Sequence, residues 1–346
     1  MKKKTFKAAI LTRQKKKLKI VNLNYPNQLT SGQINVRILY ASICGAQLGE
    51  IDGIKGPDKW LPHCMGHEGY GLVVSTYDGC KTFKKNDHVI LHWKKNNLKN
   101  AQPAKYLYKS NIVNAGNVTT FQEYSVVSEN RLTKIPKPKN KKIKKILPLL
   151  GCAIPTAWGI LNKEISILKN HEILIIGAGG IGVTLAIIAK IMGIRNINLI
   201  DKFKKKKLLQ NFNLNCASVS SLKNKVKQFD YVFETTGDVK NMSSSFDCLK
   251  KNGTVVLVGQ PKLNSKLLIN DPLRFFNYPN DNLKIISSDG GSFNPGRDMI
   301  KIYKLLIKNI NYFSKLLTTY YPLREINNGI KILKKGNAIR VGIDLT

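Results

Sequence analysis

Residues 173–193, ILIIGAGGIGVTLAIIAKIMG, decide the fold. The run is long and apolar enough to be weighed as a membrane span, which needs about 20 such residues. Its glycines and Lys190 argue against that reading. It divides instead into a short buried strand, EILIIG (172–177), a glycine turn, and a helix, GVTLAIIAKIMG (182–193). Outward from it, INLID (197–201) is a second strand, residues 202–212 are helical, and QFDYVFETTG (228–237) is a third strand. A helix over 239–250 and the strand GTVVLVG (253–259) follow. Strand and helix in alternation predict a doubly wound α/β domain with a parallel sheet.

The glycines themselves point to a dinucleotide. Gly177, Gly179 and Gly182, with Gly180 and Ile181 between them, make a G-x-G-x-x-G pattern. Alone the pattern is weak, but here it follows a strand and opens a helix, as its mechanism requires. Glycines there permit a tight turn and close approach to a pyrophosphate, which the helix N-terminus then faces. Asp201 ends the next strand, nineteen residues beyond Gly182. A carboxylate at that point accepts ribose hydroxyls and repels an added phosphate, so NAD is expected before NADP. Lys202 and Lys204 to Lys207 soften that preference, since cations tolerate a phosphate.

The chain has 346 residues, room for two domains, and 42% of them are hydrophobic, as in globular proteins. Its formal charge of +36 raises the question of nucleic acid. The lysines are scattered from end to end, however, and no basic-aromatic RNA-binding module is present, so nucleic acid is not the expected partner. No membrane segment is expected either. Six cysteines, at 44, 64, 80, 152, 216 and 248, have no framework spacing, and MKKKTFKAAI is not followed by an apolar signal region. Free thiols in a reduced cytoplasm are the expectation.

The first 150 residues read as short strands: INVRILYASIC (34–44), GYGLVVSTYDG (69–79) and DHVILHW (87–93). KPKNKKIKK (137–145) reads as a linker or surface loop, and helices are expected at 300–310 and 324–336. Among these strands lies LPHCMGHEGYG (61–71), which concentrates two of the chain's five histidines. A catalytic zinc takes three protein ligands and leaves one position open. Partners for His67 are Cys44 in SICGAQLGE and Cys152 in LLGCAIPTAWG. Singly, each has a plain structural reading as a buried thiol or a turn residue.

Together, in this order and beside a dinucleotide fold, the chain resembles the zinc-containing alcohol dehydrogenases of the medium-chain dehydrogenase/reductase superfamily. The NDHV turn (86–89), TTFQEYSVVSENRLTKIP (119–136) and GNAIRVGIDL (336–345) carry the same resemblance. It implies a chaperonin-10-like (GroES-like) β-barrel catalytic domain over 1–153 and 293–346, and a Rossmann domain over 154–292. It implies one catalytic zinc held by Cys44, His67 and Cys152, with Glu68 behind the metal. Thr156 would lie near the nicotinamide with Ile181 behind the ring, Lys206 would reach the adenosine ribose, and Arg340 the pyrophosphate. The implied reaction moves a hydride between an alcohol, through its zinc-bound alkoxide, and NAD. A homodimer or homotetramer is implied as well, with LKIIS (283–287) as a strand able to pair across a dimer axis.

Two departures from the family pattern stand out. Residues 92–116 contain no cysteine, so the structural-zinc lobe is expected to be replaced by a loop. The hydroxyl residue usual two positions after the first cysteine is Ala46, and the histidine that often follows is Gly49. Gln47 is then expected to orient His67, and Glu50, His63 or water to carry protons. His63 and Cys64 are read as pocket wall or packing, despite their ligand chemistry. Asn, Gln, Lys and Tyr residues at 46–62 and 94–118, with Trp60 and Trp93, favour a polar alcohol such as a polyol or sugar derivative. The alternatives are a metal-free NADP-dependent reductase of the same superfamily and a degenerate, non-catalytic basic binding protein.

Overall fold

In the computed structural model of the chain, residues 5–346 are described apart from Asn27, Lys204, Tyr278 and the side chain of Thr318. Lys204, one of the lysines read beside Asp201, and the first four residues of the basic N-terminal stretch thus lie outside the described residues. The chain divides into two units, Met1–Ile154 with Asn294–Thr346, and Pro155–Phe293.

The first unit holds a closed five-stranded barrel and a seven-stranded sheet. The barrel runs through Thr5–Leu11, Lys19–Asn24, Lys105–Tyr108, Asn111–Asn114 and His63–Cys64. In the sheet, the long strand Gln33–Ile43 is central: it pairs with Gly69–Thr76, with Tyr124–Ser128 and with Arg340–Asp344. Alternate side chains of these strands fill one core with Ile34, Val36, Ile38, Val89, Val341 and their neighbours, as period-two patterning demands.

Two stretches differ from their reading in the sequence. Residues 92–116, expected as a loop, contain an antiparallel hairpin in which Lys105–Tyr108 pairs with Asn111–Asn114. The hairpin closes the barrel: Leu107 pairs with Asn24, and Asn114 with His63. Tyr106 is 1% exposed and its hydroxyl accepts from the Val126 amide at 2.8 Å, so this region contributes core rather than a lobe. KPKNKKIKK also ends in structure. Asn140 caps the helix Lys141–Ile146 by accepting from Ile143 N, and Ile143 and Ile146 turn inward, a short amphipathic turn masked by its lysines.

The second unit is a six-stranded parallel sheet. Numbered from Ile173–Ile176 as the first strand, its order is 3-2-1-4-5-6: Cys216–Ser218, Ile197–Asp201, Ile173–Ile176, Phe229–Glu234, Leu249–Leu257 and Lys284–Ser287. This is the Rossmann arrangement, with a switch point outside the carboxyl end of the first strand. Cys216–Ser218 was not legible as a strand because it is three residues long and mostly exposed. The helix Gly180–Ile191 buries eight of its twelve residues. Among the described residues no single helix is long and apolar enough to cross a membrane.

Candidate active site

The metal-type cluster is assembled in the first unit from three segments. Cys44 follows the central strand and N-caps the helix Gly45–Asp52. His67 and Glu68 lie between the strands His63–Cys64 and Gly69–Thr76. Cys152 follows the turn Leu147–Gly151. Gly151 makes that approach possible, since a Cβ there would stand 2.6 Å from Glu68 Cα and from the Leu91 carbonyl. One ligand atom each from Cys44, His67, Glu68 and Cys152 lies within 4.8 Å of all the others.

The donor set is the soft thiolate and imidazole chemistry that zinc selects. His67 Nε2 and Glu68 Oε1 are buried without a hydrogen-bond partner, which is where an ion would complete them. The Cys44 thiol is held well below the usual thiol range, first by the hydrogen bond it shares with Cys152, then by the nearby Arg340 and His67. Cys152 is pushed the other way by that same shared bond and by burial. The residues therefore fit a zinc ion.

Gln47, 1% exposed, bridges two parts of the cluster. Its Oε1 accepts from Cys44 N at 2.9 Å and its Nε2 lies 2.5 Å from His67 Nδ1. A metal on Nε2 requires the hydrogen on Nδ1. The Gln47 oxygen could accept that hydrogen only by releasing the Cys44 amide, which it accepts from in this arrangement.

Arg340, expected to reach the pyrophosphate, is 2% exposed, and its Nη2 donates to Glu68 Oε2 and, at 3.1 Å, to Ser42 Oγ. Ser42 also donates to Glu68 Oε2. The reason is electrostatic: Glu68 is fully buried, burial pushes its carboxyl up, and the guanidinium at contact is the largest of the groups that oppose that shift, with His67 after it. Burial weakens the guanidinium's hold on its proton, but Glu68 and Cys44 outweigh that and raise it. Ser42 was missed in the sequence. Its only signal there is a hydroxyl between Ala41 and Ile43, two residues before Cys44.

His63 is tied up separately. Its Nδ1 donates to the Cys64 carbonyl at 2.8 Å, and its Nε2 faces Asp58 Oδ2 at 2.7 Å and Glu50 Oε1 at 3.8 Å. Cys64 is 3% exposed, and burial alone pushes its thiol up.

In the second unit the glycine loop leaves Ile176 and enters the helix Gly180–Ile191. A Cβ at Gly182 would fall 1.8 Å from the Gly177 carbonyl, so helix and strand pack only without a side chain. A Cβ at Gly179 would meet nothing within 4 Å. That open cradle beside a helix N-terminus fits a pyrophosphate. Asp201, at the end of the neighbouring strand, accepts from Ala178 N and Phe203 N, both at 2.7 Å. Its partner is Lys205, whose Nζ stands 3.1 Å from Asp201 Oδ2, while Lys206 is exposed. Ile181 is half-buried, and Thr156 is 4% exposed with its hydroxyl unpartnered.

Glu234 and Thr235 also escaped the sequence reading. Glu234 is fully buried at a strand end and accepts from the amides of Thr236 and Gly237. Thr235 Oγ1 donates to the carbonyls of Ile176 and Gly177, fastening this loop to the glycine turn.

Comparison with known proteins agrees with this geometry. The alcohol dehydrogenase GroES-like domain profile matches residues 30–137, and the zinc-binding dehydrogenase profile matches residues 180–305. The chain belongs to the zinc-type medium-chain dehydrogenase/reductase family. Alcohol dehydrogenase-like 3 of Arabidopsis thaliana is 26% identical, with 89% of this chain and 88% of that protein aligned. Alcohol dehydrogenase class-3 of Drosophila melanogaster is 25% identical over 97% of this chain and 96% of its own. Benzyl alcohol dehydrogenase from Acinetobacter calcoaceticus shares the fold with a TM-score of 0.83 at 20% identity, over 99% of this chain and all of that one.

Proposed function

We propose that this chain is a zinc- and NAD-dependent alcohol dehydrogenase, interconverting an alcohol and its carbonyl by hydride transfer. The observation that carries the reading is the convergence of Cys44, His67 and Cys152, distant in sequence, on one set of atoms within 4.8 Å. Zinc held there supplies Lewis acidity, which lowers the pKa of a hydroxyl and polarises a carbonyl.

The chain's own groups do the rest. Cys44 and Cys152 offset the ion's charge, and Gln47 holds His67 in orientation. Glu68 stands behind the ligands, kept in place by Arg340 and Ser42. Gly179, Gly180 and Gly182 receive the pyrophosphate, Asp201 faces the adenosine ribose, and Ile181 and Thr156 meet the nicotinamide. With Ala46 and Gly49 in place of the usual relay, the proton leaves through the Glu50, Asp58 and His63 group, which joins a buried imidazole to a half-exposed carboxylate.

A polar alcohol such as a polyol or sugar derivative is the substrate class that this hydrogen-bonding group favours. The edge strand Lys284–Ser287, with Leu273, Phe276 and Ile285 exposed by 43–63% in the same unit, supports pairing of two copies. All six cysteines are free, in keeping with a cytoplasmic setting.

The test is an assay of alcohols and carbonyls with each nicotinamide cofactor, alongside elemental analysis. About one zinc per chain is expected. Cys152→Ser should lose both zinc and turnover while still binding cofactor; a variant that keeps both would refute the ligand assignment.

A further inference from the structure

We propose that Lys205 governs adenosine-ribose specificity, countering Asp201 so that the chain takes NADP as well as NAD; this rests on the dehydrogenase reading above. Lys205 is 6% exposed, and lysines are seldom so buried unless paired. Its Nζ donates to Asp201 Oδ2 at 3.1 Å and to the Ala178 carbonyl at 2.9 Å. The ammonium therefore joins the glycine loop to the strand end at the place where the ribose is read.

Asp201 is correspondingly committed. Oδ2 already accepts from Ala178 N and Lys205, and Oδ1 from Phe203 N. An unpaired carboxylate in that position repels a 2′-phosphate, which carries between one and two negative charges near neutral pH. Paired with a buried ammonium, it presents little net charge. The surroundings then favour the anion: residues 201–207, DKFKKKK, hold one acid against five lysines. Lys202 Nζ lies 5.0 Å from the Phe203 ring centroid, on the same turn. Lys206 is exposed, whereas the ion pair to Asp201 is made by its neighbour in sequence, Lys205.

A purely structural lysine would alter the affinities for both cofactors alike. A specificity-determining one changes their ratio. Dissociation constants for NAD and NADP, measured by calorimetry at fixed ionic strength, should lie within about tenfold of each other in the wild type. Lys205→Met should weaken NADP by about tenfold more than NAD, and Lys205→Arg should restore the ratio. Competition by 2′-AMP against 5′-AMP on the wild type gives the same readout without a variant, and comparable affinities are expected. NADP about a hundredfold weaker than NAD in the wild type, or equal losses in Lys205→Met, would overturn the proposal. Binding of NAD without NADP sinks only this inference. Failure to bind either sinks the dehydrogenase reading with it.

Discussion

In each unit a buried carboxylate meets a buried cation, and the two pairs are built differently. Glu68 and Arg340 are 272 residues apart and meet at 0% and 2% exposure, with Ser42 as a third member. Asp201 and Lys205 are four residues apart on one turn, at 8% and 6% exposure, and two backbone amides share the carboxylate. Besides itself, the long-range pair relies on side chains, Ser42 first among them, to satisfy its charges. The local pair is cushioned by amides that remain when the lysine is removed. Burial alone is thus a poor guide to what a charge costs; the number of fallback donors matters as much.

The sharpest way to break the comparison is Arg340→Met, which strands a buried carboxylate. A loss of about 3–5 kcal/mol is expected, read from the urea midpoint. Glu68→Gln in the same chain should recover much of it, and if it does not the pair is not what holds Arg340. Next in size is a buried group with no charged partner at all. His92 is fully buried, its Nδ1 donating to the Lys94 carbonyl at 2.6 Å and its Nε2 accepting from Thr133 at 3.0 Å.

Burial lowers the His92 pKa from 6.5 to about 4. Between these values the unfolded chain binds the extra proton, so stability is intact above pH 6.5 and drains as pH falls towards 4. The drain amounts to about 3 kcal/mol. His92→Gln should remove that slope from the difference between pH 7 and pH 4 unfolding curves. An unchanged slope would assign it elsewhere.

The local pair should show the smaller effect. Lys205→Met is expected to cost about 1–2 kcal/mol, since Asp201 keeps both amides. A loss as large as that of Arg340→Met would erase the distinction drawn between the two pairs. Smallest of all, Lys206→Ala should shift stability by no more than about 0.5 kcal/mol, as for an exposed side chain without partners.

These pairs also show what could be read in advance. Both acids stand out in the sequence, Glu68 inside GHEG and Asp201 at the end of INLID, because each sits on a motif with fixed spacing. Their cations do not. Arg340 lies in a segment read as reaching a pyrophosphate, and Lys205 is one of five lysines in seven residues. Nothing in a run of identical side chains says which one turns inward. That depends on where the turn after Asp201 places each Cβ. The hairpin at 105–114 was hidden for a related reason: its pairing partners are strands some eighty and fifty residues upstream, at Asn24 and His63.

The sequence by itself determined the architecture, through glycine spacing and strand and helix periods; the order Cys44, His67, Cys152 carries the resemblance that implies the ligand set. Tertiary structure alone decided that Ser42 and Arg340 hold Glu68, and that Lys205 rather than Lys206 meets Asp201. A motif specifies what a residue can bind. Which partner it meets is set by burial, where each charge takes the nearest group that spares it from standing alone.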